Sequence, residues 1–216
     1  MSLVKHAIIS AAGMGTRIGL NIPKCLLRFD GVTLIEHQLS LLKEIEDIRI
    51  VVGFMEESVM KIAKSFRKDI LFVRNPHYQT TSNTYSISLA TRSLNNPYIL
   101  MDGDLLINKS SFHNFIKSFD GKKSIIGVTK STTDDAVYVN INKNNFVTNF
   151  DRKTKGLYEW TGIACLNKIK ITDQYPYLYQ SLEKHLPLKS NYIECSEIDT
   201  PGDLNRAQNF WFKNLT

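Results

Sequence analysis

Strand-like and helix-like segments alternate four times in the first half of this chain, and that rhythm limits the possible folds more than any other feature. HAIIS (6–10) is a short apolar strand. TLIEHQLSLLKEI (33–45) places Leu34, Ile35, Leu39 and Leu42 at helical spacing. IRIVVGF (48–54) is a buried-strand run. EESVMKIAKSFRK (56–68) has acids first and bases last, which suits the helix dipole, with Val59, Ile62, Ala63 and Phe66 on one face. ILFVRN is another strand, and NTYSISLATRSL (83–94) reads as a helix capped by Ser82 or Asn83. PYILMDGD (97–104) is a strand that ends in acids. Such alternation implies right-handed crossovers and a mainly parallel sheet, whose ligands bind beyond the carboxyl ends of the strands. AAGMGTR, NPHYQTTSN and DGD all fall at strand ends on this reading.

The second half has a different pattern. KSIIGVTK, AVYVNI and FVTNF are strand-like and joined by polar turns such as NKNN, which predicts a small antiparallel insert or lid at about 123–158. WTGIACLN is a further strand. A helical stretch follows at about 172–186, then the strand YIECSEI and a last helix from TPGDLNRA, capped by Asp199 or Thr200 with Pro201 in its first turn. At 216 residues with no repeat, low-complexity tract or linker, the expectation is one domain over 1–216.

Composition excludes several classes. No apolar run approaches the roughly 20 residues that span a bilayer, so no membrane association is expected. The opening MSLVKHAIIS does not match a secretion leader. Cys25, Cys165 and Cys195 are widely spaced and form no C-x-x-C pair, which argues against a zinc site or a disulfide scaffold and for a cytoplasmic setting. Cys25 reads as a small buried apolar residue. The formal charge of +6 comes from lysines interleaved with acids, so the expected partners are small anionic substrates and not nucleic acid.

The most informative local stretch is IISAAGMGTRIGLNIPKCLL (8–27). Gly13 and Gly15 let backbone N–H groups approach an anion, Arg17 can fork onto phosphate oxygens, and Lys24 adds a point charge. Ile18 stands where a dinucleotide fingerprint needs its third glycine, and the G-x-x-x-x-G-K-[ST] pattern is absent. The glycines alone fit an ordinary turn equally well. The acids shift the balance: Asp102 and Asp104 in MDGDLL, and Asp199 in EIDTPGDL, could hold the divalent cation that a triphosphate needs.

The stretch AAGMGTRIGLNIPKCLLRFDGVTLIEHQLSLL, with MDGD and IDTPGDL, resembles the signature of the nucleotidyltransferases of GT-A-like α/β fold over nearly the whole chain. That resemblance implies a single-domain, Rossmann-like architecture. NPHYQTTSNTYSISLA (75–90) is similar to the cytidylyltransferases that act on alcohol phosphates such as phosphocholine and inositol phosphate. The implied reaction is attack of a phosphorylated alcohol or phosphonate on the α-phosphorus of CTP. Pyrophosphate leaves, and the CDP- or CMP-linked product serves cell-surface glycan or lipid synthesis. By the same resemblance, Arg17 and Lys24 are catalytic. Ala11, Ala12, Gly13, Met14, Gly15, Thr16, Ser82, Asn83, Ser86 and Asp102 bind the nucleotide, and Asp104 and Asp199 hold Mg2+. Tyr138, Lys155 and Trp160 are acceptor candidates, with core packing and solvated charge as the competing readings. Ala136 stands where the phosphocholine enzymes carry a tryptophan. A sugar-1-phosphate nucleotidyltransferase and a non-catalytic nucleotide-binding module remain as alternatives, and the family allows monomers and homodimers.

Overall fold

The computed structural model describes residues 3–132 and 135–214. In the first half the elements are β1 (His6–Ala11), β2 (Arg28–Phe29), β3 (Val32–Thr33), α1 (Leu34–Leu41), β4 (Asp47–Val52), α2 (Glu56–Phe66), β5 (Ile70–Arg74), α3 (Asn83–Thr91), β6 (Tyr98–Asp102) and β7 (Leu105–Ile107). Then come α4 (Lys109–Lys117), β8 (Ile125–Lys130), β9 (Tyr138–Ile141), β10 (Phe146–Asp151), β11 (Tyr158–Leu166), α5 (Leu178–Glu183), β12 (Leu188–Tyr192), β13 (Cys195–Glu197) and α6 (Pro201–Asn214).

The predicted alternation gives four parallel strands in the order β5-β4-β1-β6. β1 is buried on both faces, as a central parallel strand must be. Ile9 packs with Ile50, Met101 and Phe115 on one side, while Ile8 packs with Val51, Leu100 and Ile126 on the other. Each such side chain contributes about 1.5–3 kcal/mol when fully buried. An exposed pair such as Lys5–Glu46 contributes roughly 0–1 kcal/mol, so the two apolar layers set the fold.

The whole sheet is mixed and not mainly parallel. Nine strands run β5-β4-β1-β6-β11-β8-β12-β10-β9, and β9 also pairs with β11. That last pairing closes the second half on itself, with antiparallel contacts except between β8 and β12. The strands expected as a small insert at about 123–158 (β8, β9 and β10) are therefore woven into the main sheet. Strand periodicity was readable there, but partner choice depends on distant pairs such as Ala164↔Leu100, which local sequence does not carry.

Local signals explain the element ends. Thr33 and Glu36 form a capping box: Thr33 N–H donates to Glu36 Oε2 at 2.8 Å, and Glu36 N–H donates to Thr33 Oγ1 at 3.3 Å. Ser82 accepts from Tyr85 N–H at 3.3 Å, so Ser82 caps α3. Thr200 caps α6, and Asp203 returns the bond to Thr200 N–H at 2.7 Å. α4, capped by Asn108, was not read from sequence. The single strand expected over YIECSEI is split between β12 and β13.

The register then places the interesting segments together. Ser10 pairs with Asp102 at the carboxyl ends of β1 and β6, and Gly103 N–H donates to Ser10 O at 2.8 Å. The chain leaves β1 toward β4 on one side and returns as β6 on the other. This is a topological switch point, where open sheets form their ligand crevice. A Cβ on Gly103 would lie 2.6 Å from the backbone oxygen of Ser10. Gly103→Ala is therefore expected to lower unfolding stability by about 1–3 kcal/mol, measured by urea denaturation.

Candidate active site

A cleft of about 350 Å³ opens at this switch point. Ala11, Ala12, Gly13, Gly15, Thr16 and Arg17 line it from the loop after β1, and Lys24 and Cys25 from the next turn. Ser82, Asn83 and Ser86 contribute from the start of α3, Asp102 and Asp104 from the β6–β7 turn, and Asp199 from the far end of the chain. These sequence candidates thus share one cavity. Met14 lies in the same loop but does not line it.

Gly15 has φ +61, and a Cβ there would lie 3.0 Å from the carbonyl of Ile22. The loop therefore turns back tightly and brings Lys24 over the acids. Lys24 Nζ donates to Asp104 Oδ2 at 2.8 Å and also contacts Asp199 Oδ1. Burial opposes the ammonium charge, but Asp104 and Asp199 outweigh it and raise the Lys24 pKa. Arg17 donates to Asp199 Oδ1 at 3.0 Å and to Asp135 Oδ2 at 3.1 Å.

Asp199 reaches this point because β13 pairs antiparallel with β7, Glu197 opposite Leu105, and Ile198 N–H donates to Asp104 O at 3.2 Å. The same pairing delivers Glu197, which sequence reading missed. Ligand oxygens of Asp104, Glu197 and Asp199 lie within 4.8 Å of one another. The available signal was the E-x-D spacing in SEIDTPGD, which puts both acids on one face of an extended segment. Enclosure first, then the charges of Asp104, Asp199 and Asp102, raise the Glu197 carboxyl well above the usual range, although the residue as a whole is exposed.

Asp102 accepts from Asn83 Nδ2 at 2.8 Å, and Asn83 in turn contacts Ser10. Burial and the neighbouring Asp104 push Asp102 up to about 7. The cleft thus gathers four carboxylates (Asp102, Asp104, Glu197 and Asp199) around two cations, Lys24 and Arg17. Asp104 Oδ1 is buried and has no hydrogen-bond partner among the described residues. An orphaned carboxylate oxygen beside two further acids fits a hard divalent cation.

Other cleft residues also escaped the sequence reading. Tyr78 and Thr81 line the α3 side. Asn75, buried at the end of β5, donates to Thr81 Oγ1 at 3.0 Å and to Ser86 Oγ at 2.9 Å, which fixes both hydroxyls. His77 is exposed in the preceding turn and does not line the cavity. Cys25 is buried, and its thiol is pushed up to about 12 by that burial and by Asp104, so it is no nucleophile.

The acceptor candidates do not converge. Tyr138 is 3% and Trp160 8% exposed, and Trp160 packs edge-on against Phe150 and donates Nε1–H to Ile163 O. Both belong to the core and lie outside the cleft. Lys155 is exposed in the turn before β11.

The family model described as MobA-like NTP transferase domain matches residues 7–162. Glu197 and Asp199 lie beyond that span. Among curated proteins, the CMP-5'-(3-aminopropyl)phosphonate synthase of Streptomyces rubellomurinus is 32% identical over 108 residues, 47% of this chain. The match spans only 17% of that longer protein. The inositol-1-phosphate CTP transferase from T. maritima has a TM-score of 0.80 at 22% identity, over 99% of this chain and 97% of that one. The CTP:phosphocholine cytidylyltransferase of Streptococcus pneumoniae scores 0.77 at 23% identity, over 96% and 99%. At those identities the likeness to the solved structures is one of fold. No helix among the described residues is long and apolar enough to cross a membrane.

The elevated Asp102 sets a pH signature. Between about pH 4, the unfolded value, and about pH 7 the folded state binds a proton that the unfolded chain has released, so stability falls as pH rises through that window. Without metal, Asp102→Asn should therefore raise the melting temperature at about pH 8, and the gain should shrink as pH falls and vanish below about pH 4. Thermal melts in a chelating buffer check both ends.

Proposed function

Because this chain belongs to the MobA-like NTP transferase domain family and is a nucleotidyltransferase, we propose that it transfers a cytidylyl group from CTP to a small phosphorylated alcohol or phosphonate. The observation that carries this reading is the cleft itself, where the glycine loop, Arg17 and Lys24 face Asp104, Glu197 and Asp199. The cytidylyl part draws on the activities of the phosphonate relative and of the two solved structures. Residues 1–216 act as one unit in this reading, since Asp199 near the end completes a cavity begun by Ala11.

Gly13 supports close approach of a ligand. A Cβ there would meet nothing within 4 Å, so packing does not demand a glycine. A phosphate drawn up to the loop backbone would demand one. Ser82, Asn83 and Ser86 face the same space from α3 and are assigned to the nucleotide, with Ser86 held by Asn75.

An acceptor phosphate or phosphonate oxygen attacks the α-phosphorus. The new P–O bond forms as the bond to the β-phosphate oxygen breaks, and that electron pair leaves with pyrophosphate. The nucleophile is already ionised near neutral pH, so no general base is needed, and no histidine lines the cleft among the described residues. Lys24 stays protonated and Arg17 always is, so both supply fixed positive charge where negative charge builds up. Asp104, Asp199 and Glu197 would hold Mg2+, which when bound neutralises phosphate charge and polarises the α-phosphate.

Lys24→Ala should reduce pyrophosphate release from CTP by about 10²–10³-fold while leaving the far-ultraviolet circular dichroism unchanged. A screen of CTP, UTP, ATP and GTP against phosphocholine, inositol phosphate and aminoethylphosphonate should show turnover with CTP. Near-normal turnover in Lys24→Ala, or a preference for UTP, would sink the assignment.

A further inference from the structure

Beside the cleft, two guanidinium groups converge on one carboxylate. Arg17 Nη1 donates to Asp135 Oδ2 at 3.1 Å, and Arg152 Nη2 contacts Asp135 Oδ1. Asp135 is 63% exposed, yet it is held from both sides. Arg17 also touches Asp199, so this pair of arginines begins at the acidic cluster and leads away from it. Arg152 is anchored from below: its guanidinium carbon lies 4.6 Å from the Tyr177 ring centre. Tyr177 stacks on Tyr179 at 5.9 Å and 20°, and Tyr179 contacts Phe150 at 5.8 Å. A planar cation laid on an aromatic face keeps its N–H edge free to point sideways. That edge is turned toward Asp135.

Two forked donors aimed at one exposed carboxylate describe an anion site. We propose that the phosphate or phosphonate group of the acceptor binds between Arg17 and Arg152, where Asp135 serves as the resting counter-ion. The inference rests on the cytidylyl-transfer reading and extends it to the acceptor. An anion taking that position lies one arginine away from Asp199, at the edge of the acidic cluster. Tyr177, 48% exposed, offers its surface to the organic part of the same molecule. Arg152 replaces Tyr138, Lys155 and Trp160 as the acceptor residue. Its place was hidden in sequence because DRKTKG reads as a solvated charge run and because Tyr177 lies 25 positions further on.

The test uses the full chain with Mg2+ and the α,β-methylene analogue of CTP, which prevents turnover. Methylphosphonate binding is followed by phosphorus NMR in wild type, Arg152→Gln and Asp135→Ala. Arg152→Gln should weaken methylphosphonate by about tenfold or more, while affinity for the nucleotide analogue is unchanged. Asp135→Ala should tighten methylphosphonate, because it removes the competing carboxylate, a gain that a merely structural role would not produce. Undiminished binding in Arg152→Gln, or weaker binding in Asp135→Ala, overturns the proposal. Nucleotide binding by the wild type without any methylphosphonate binding overturns this proposal alone. Failure of the wild type to bind the nucleotide analogue overturns the parent reading, and this one with it.

Discussion

The contact of Lys24 with Asp104 and Asp199 is the constraint around which the rest of the cleft is arranged. Three carboxylates whose oxygens lie within 4.8 Å repel one another by roughly 3 kcal/mol per pair or more, at an effective dielectric near 20. Without a cation they could not be held so close while charged. Lys24 is well placed to counter this, since 15% side-chain exposure leaves little water to screen it. Its position depends on the turn at Gly15, and the acids depend on the pairing of β7 with β13. A local loop and a long-range strand contact therefore meet at one ammonium group.

Arg17 extends that arrangement outward. It shares Asp199 with Lys24 and reaches Asp135 on its other side. The positive charges of the cleft are thus strung along a line, with carboxylates between them. Such a line can exchange a protein carboxylate for a substrate anion without leaving any arginine bare. The same geometry accounts for the raised carboxyls of Asp102 and Glu197. Each sits among like charges, and Lys24 and Arg17 are already engaged by Asp104, Asp199 and Asp135.

Much of this could be read from the chain. The parallel half of the sheet followed from strand and helix periodicity, and the cleft residues from AAGMGTR with the P-K after it, NPHYQTTSN, MDGD and IDTPGDL. What escaped depended on distance. Glu197 acquires its meaning only when β13 is laid beside β7. Asn75 acts through side chains 6 and 11 positions away. Trp160 and Tyr138 are aromatic near an expected acceptor site, but their strands turn both rings into the core. α4 was missed although Phe112, Phe115, Ile116 and Phe119 stand at i, i+3, i+4 and i+7 and pack on the core; the polar residues between them in KSSFHNFIK hid a short stripe. The closure of β9 on β11 has no local signal at all.

That closure has a consequence for how the molecule meets its own copies. A sheet normally has two rims, each with unpaired amide and carbonyl groups on offer. Here β9 is bonded on both sides, so among the described residues the nine-stranded sheet keeps one open rim, β5. β5 carries an exposed Leu71 and ends at Arg74, which is tied to Glu56 of α2 at 2.8 Å. Any lateral growth of the sheet, whether orderly pairing or unwanted stacking, is confined to those five residues. It would take place on the far side of β4 and β1 from the closed ring of strands, and a copy docked there would leave that ring untouched.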